Sequence, residues 1–214
     1  MPVSPTIDEL ESGPDFEKVL TLQYNDIAPF VIGRLFSFTL PAAMIWVVLA
    51  LSAFLTVWLW PGQTVTDESR HIIKGLLTGL IGLPLLLIPF HEGLHLVPYR
   101  LAGARDIRFG ADLRQGIIYV TAHRFVTSHS LFSLVALIPF AVITAGLAAA
   151  MIFTSPWMQW VLAMTVFVHA TMCTGDAVLI GFMSAFRGRR TFTWDDADKE
   201  VAYFYAERPS GTKE

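Results

Sequence analysis

Four stretches of this 214-residue chain are long and apolar enough to cross a bilayer, and that fixes the solvent before any other feature is read. A hydrocarbon core of about 30 Å takes about 20 predominantly apolar residues to cross. The runs Leu35 to Trp60, Ile72 to Val97, Leu131 to Phe153 and Trp157 to Phe186 meet that length. With 54% hydrophobic residues, 15% charged residues and a mean hydropathy of +0.54, the chain is too apolar for an ordinary soluble domain. The expected fold is an all-α polytopic membrane protein: an N-terminal segment at 1–34, a four-span domain at 35–186 with a loop at 98–130, and a tail at 187–214. The first 34 residues hold six acids and two bases, unlike the basic start of a cleaved secretory signal, so the first span is expected to stay in the mature chain.

Four spans put both termini and the 98–130 loop on one side of the membrane. Thirteen of the fifteen basic residues fall on that side and only Arg70 and Lys74 on the other, which makes it the cytoplasmic side by the positive-inside rule. Trp58, Trp60, Trp157 and Trp160 cluster at the opposite ends of the spans, where indole favours the interface. The cytoplasmic loop reads DIRFGADLRQGIIYVTAHRFV, with Gly110 and Gly116 around a polar turn, and is expected to form a small β-hairpin with Ile117 to Thr121 as its better strand. In the tail, a polar run TWDDADKE precedes a β-prone VAYFY, the expected short C-terminal strand.

The segment IPFHEGLHLVPYR ends the second span. Residues four apart share a helix face, so His91 and His95 can offer two imidazole nitrogens to one ion, with Glu92 beside them to take a proton from water. Zinc lowers the pKa of its water to about 7, which brings that proton within reach of a carboxylate. The plainer alternative is a pair of interfacial histidines at a helix end. A carboxylate at the margin of a hydrocarbon core is costly without a role, which favours the metal reading.

A catalytic zinc site has three protein ligands and one open position. His71 lies some twenty residues from His91, about 30 Å along a helix, and is excluded by rise alone. Asp176 is the only carboxylate between Leu131 and Phe186. His91 stands nineteen residues after Ile72 and Asp176 nineteen after Trp157, so both are about 28 Å along spans that run in the same direction. His169, about 10 Å further out, is too far to share an ion with Asp176 and is either a buried polar residue or a support for a ligand. His123 and His129 rank below Asp176 as third ligand, on a loop that could fold back over the helix ends; otherwise they are solvated or able to donate to a reacting carbonyl. Cys173 is read as a packing residue. Pro84, Pro89 and Pro139 interrupt spans and free backbone carbonyls.

Together HEGLH, SLVALIPFAV and HATMCTGDAVL resemble the putative zincin peptidases, small bacterial membrane proteins. The resemblance runs from about Leu86 to Pro209 and includes RFGADLRQGIIYVTAHRF and AYFYAERP. That family is similar in turn to the site-2 protease class, which implies zinc on His91, His95 and Asp176 and Glu92 as general base. It also implies a bacterial cell membrane. The larger class places an Asn and a Pro before Leu-Asp-Gly, whereas here Gly175, Asp176 and Ala177 stand in order without such an Asn.

The resulting expectation is a membrane-embedded zinc metalloprotease that hydrolyses membrane-associated or membrane-proximal polypeptides on the cytoplasmic side. Two other classes stay open: a non-catalytic zinc-binding sensor or scaffold, and a transporter using Asp176 and His169. An intact Glu92 speaks against the first. Four spans without an internal repeat speak against the second. A net charge of −3 and a pI near 6.0 give no basic footprint for nucleic acid, and one cysteine excludes an intramolecular disulfide.

Overall fold

The N-terminal segment is ordered before the first membrane helix begins. The computed structural model describes residues 4–36, 39–60, 68–112, 117–186 and 188–209; Arg114 and Gly116 of the hairpin turn, Arg187 and Lys213 lie outside them. Helix α1 (Ile7–Ser12) starts at a reciprocal capping box, in which Thr6 accepts from the Glu9 N–H and the Glu9 carboxylate accepts from the Thr6 N–H. Strand β1 (Phe16–Gln23) follows, and a single 3₁₀ turn leads into α2 (Ile27–Arg34).

Among the described residues three helices are long and apolar enough to cross a membrane alone: Leu40–Trp58, Arg70–Leu101 and His129–Ile152. The first is α3 (Leu40–Trp58), capped by the Thr39 hydroxyl. The second joins α4 (Glu68–Leu77) to α5 (Leu83–Leu101) through a π-helical turn at Thr78–Gly82. Pro84 has no N–H and its ring crowds the carbonyl four residues back, and the wider π turn just before it absorbs that conflict. Strands β2 (Ile107–Asp112), β3 (Ile117–Ala122) and β4 (Thr127–Ser128) lead into the third long helix, α6 (His129–Ile152). The fourth apolar run is bent: α7 (Pro156–Met172) and α8 (Thr174–Ser184) reach spanning length only together and meet at a 40° bend at Cys173, where the Thr171 and Thr174 hydroxyls turn back onto backbone carbonyls. Strands β5 (Thr191–Asp196) and β6 (Val201–Glu207) close the chain.

The fold is mostly helical, but all-α does not describe it. The hairpin forms as β2 against β3, with Phe109 opposite Val120. A second antiparallel sheet, in the order β1-β6-β5-β4, takes one strand from the N-terminal segment, one from the loop and two from the tail. The reading of the tail as a polar run plus one strand is corrected by β5: Phe192 and Trp194 alternate with threonines that are also buried, because the strand is covered on both faces. One face packs Phe192, Trp194 and Tyr205 against Leu10 of α1 and Phe16 of β1. The other packs Leu22, Tyr24, Ala202 and Phe204 against Met183 of α8. One sheet thus joins the N-terminal segment, the loop and the tail.

Within the bundle, Ile45 and Leu49 of α3, Phe140 of α6 and Ala170, Cys173 and Ala177 around the bend form the core. Large apolar side chains on the outer faces, Leu51, Phe54, Leu86 and Leu134 among them, are more than half exposed, as contact with lipid tails requires.

Candidate metal centre

His91, Glu92 and His95 stand at 4%, 9% and 8% exposure in the middle of α5, buried where solvent cannot supply their hydrogen bonds. Partners come from three other helices. The His95 Nδ1 meets the Val135 carbonyl of α6 at 2.9 Å. A carbonyl only accepts, so this nitrogen carries the proton and the Nε2 lone pair is left free. Val135 has that carbonyl to give because the residue four positions on is Pro139, which has no N–H to bond it.

The His95 Nε2 lies 3.2 Å from the His91 Nε2, and the Asp176 Oδ2 lies 3.7 Å and 3.9 Å from the same two nitrogens. Ligand atoms about 2 Å from a tetrahedral zinc stand about 3.3 Å apart, so the three groups already span one coordination edge after another. The bend at Cys173 sets Asp176 in the first turn of α8, where the free N–H groups of a helix start favour a carboxylate. Donor chemistry and tautomer therefore fit a zinc ion at His91, His95 and Asp176. The Glu92 carboxylate has an oxygen within 4.8 Å of both imidazole nitrogens and accepts from the backbone N–H of Val120 on β3.

His169 is fully buried, and its Nε2 lies 3.2 Å from the His91 Nδ1 and 3.7 Å from the Cys173 Sγ. A ligand nitrogen at His91 Nε2 requires the proton on Nδ1, which then donates to His169. His91, His169 and Cys173 also form a compact donor set, using the other His91 nitrogen. Of this second set only His91 lines the cavity that reaches Glu92, His95 and Asp176. His169 is thus a hydrogen-bond partner of His91, and Cys173 packs in the bundle core. His169→Ala is expected to weaken zinc affinity about 10- to 100-fold, the usual cost of losing such a partner, as read by competition with a zinc indicator. An unchanged affinity would reduce His169 to a packing residue.

The remaining histidines stand apart. His71 is at the far end of the bundle, where its carbonyl accepts from the Trp157 indole. The His123 Nδ1 accepts from the Ala197 N–H and its Nε2 faces Asp198 at 3.5 Å, while the His129 Nε2 meets the Ser184 hydroxyl at 3.0 Å. Neither lines the cavity, so a role on a reacting carbonyl finds no geometry here.

That cavity, about 360 Å³, is walled by Tyr24, Ile27 and Val31 of the N-terminal segment, by Ile118 to Thr121 of β3, and by Asp195 and Phe204 of the sheet. Sequence reasoning did not assign the N-terminal segment a part in the site. The signals were there in the capping residues Thr6 and Glu9 and in the buried Phe16 and Leu22, but nothing local says that this strand pairs with a tail about 180 to 190 residues away.

Comparison with curated proteins and with solved structures found no match. Residues 84–187 match the model of a family described as "Putative zincin peptidase". The matched segment runs from Pro84 through α8 and holds His91, Glu92, His95 and Asp176 together, and over that part of its length the chain is similar to the putative zincin peptidase family.

Proposed function

We propose that the protein is a membrane-embedded zinc peptidase that cleaves membrane-associated or membrane-proximal polypeptides on the cytoplasmic side. The observation that carries this reading is the meeting of the two imidazole nitrogens and the Asp176 oxygen within 3.9 Å of one another, at a cavity that Glu92 also lines. Zinc held there would polarise the scissile carbonyl and lower the pKa of water to about 7. Glu92 takes the proton of the attacking water and returns it to the leaving amine. Val120 steadies the Glu92 carboxylate through its N–H, and Val135 keeps the His95 Nε2 lone pair turned to the ion.

The cytoplasmic assignment rests on the thirteen-to-two distribution of basic residues and on the sheet that gathers both termini and the loop at the end of the bundle nearest the site. Membrane vesicles test both parts of the proposal at once. Inverted vesicles containing the protein are expected to cut an added apolar model polypeptide, to stop on chelation and to resume with zinc, whereas right-side-out vesicles leave it intact. Cleavage only by right-side-out vesicles would reverse the orientation. Cleavage that survives chelation would remove the metal from the reaction.

A further inference from the structure

We infer that Asp195 sets the side-chain specificity of the site by receiving a lysine or arginine of the polypeptide beside the bond to be cut. This rests on the peptidase reading above and names its substrate class.

Three carboxylates line the cavity, Glu92, Asp176 and Asp195, and no lysine or arginine does so among the described residues. A zinc ion brings two positive charges, which offset Asp176 and Glu92. The charge of Asp195 is left over. The lysine and arginine neighbours are engaged elsewhere: Arg108 is taken by Asp106 and Asp198, Lys199 by Asp196, and the Arg124 guanidinium stands over the Trp194 ring. His123, the remaining basic group nearby, turns its Nε2 to Asp198.

The carboxylate is nevertheless held in place. Its Oδ2 accepts from the Thr121 hydroxyl at 2.7 Å, the Thr121 Oγ1 in turn accepts from the Tyr24 hydroxyl at 3.5 Å, and the Asp195 backbone carbonyl accepts from the Arg124 N–H at 2.8 Å. Adjacent residues of β3 thus address the two functional carboxylates, Val120 with its N–H on Glu92 and Thr121 with its hydroxyl on Asp195. One residue of a strand rises about 3.4 Å, so the general base and this anion face the same short stretch of bound polypeptide. Burial pushes the Asp195 carboxyl up to about 6, against the lowering effect of Thr121 and of His123. The cavity walls are otherwise apolar, with Leu22, Ile118, Phe132 and Phe204. Apolar walls with one anion suit the long aliphatic stem and charged head of lysine or arginine.

The test is binding of two zinc-directed amino-acid hydroxamates to the zinc-loaded, detergent-purified full chain. Lysine hydroxamate and norleucine hydroxamate share a four-carbon stem and differ in the ammonium group. Lysine hydroxamate is expected to bind about 10- to 100-fold more tightly, the worth of one charge-assisted hydrogen bond in a partly buried site. Asp195→Asn should bring the two within about 3-fold by weakening the lysine compound alone. Unchanged norleucine binding then shows that the variant is folded and its metal in place. Equal affinities in the wild-type protein overturn the assignment without any variant, and so does a preference that persists in Asp195→Asn. Failure of both hydroxamates to bind would strike the metal site itself and this assignment with it.

Discussion

Glu92→Gln is expected to keep its zinc and lose about 10² to 10⁴ of its turnover, the usual loss on removing a general base. Gln keeps the length of the side chain and an oxygen that still accepts from the Val120 N–H, so the local packing of α5 against β3 has no reason to change. His91 and His95 keep their partners, His169 and the Val135 carbonyl. What is lost is the capacity to hold a proton. Single-turnover cleavage measured beside zinc content separates the two effects. Wild-type turnover in a zinc-loaded Glu92→Gln protein would end the peptidase mechanism and leave a zinc-binding sensor or scaffold as the better account.

The centre of the site was legible in the sequence because helix geometry is local. His91 and His95 share a face by spacing alone, and equal counts along two parallel spans brought Asp176 to their level. The count was right in depth although the fourth span is not straight: a 40° bend at Cys173 lies three residues before Asp176, too late to displace it along the axis. Pro139 was legible as a source of free carbonyl, and its partner turned out to be the imidazole of His95. The sheet was not legible to the same degree. β1 and β6 pair Phe16 with Glu207, and no periodicity encodes a partner at that separation. Asp195 was hidden for the same reason, since it stands in an ordinary acidic turn sequence until β3 and β5 bring Thr121 against it.

The apolar runs form helices long and apolar enough to cross a membrane, three alone and a fourth as a bent pair, but runs of that kind do not reveal where a helix is irregular. The π turn at Thr78–Gly82 lets the second span pass Pro84, and it also presents Gly79 against α7, where an added Cβ would meet the Val161 carbonyl oxygen at 2.8 Å. The Thr165 hydroxyl reaches the Gly79 carbonyl across this contact. Further along the same two helices the His91 Nδ1 and the His169 Nε2 stand 3.2 Å apart, although a straight-helix count puts His169 about 10 Å further out.

Asp176→Ala is expected to lose its zinc, as it must if His91, His95 and Asp176 together hold one ion. Loss of a partner to a ligand costs about 10- to 100-fold in affinity, so loss of a ligand itself should cost at least about 100-fold. The chief rival within the same cluster is Glu92, whose carboxylate also lies within 4.8 Å of both histidine nitrogens. Glu92→Gln serves as the control, because it should stay loaded. The measurement is zinc per chain in detergent-purified protein equilibrated against a zinc buffer, for wild type, Asp176→Ala and Glu92→Gln. The account predicts about one zinc in wild type and in Glu92→Gln, and almost none in Asp176→Ala at the same free zinc. Full occupancy in Asp176→Ala with loss in Glu92→Gln would contradict it, and would move the third ligand from α8 to α5.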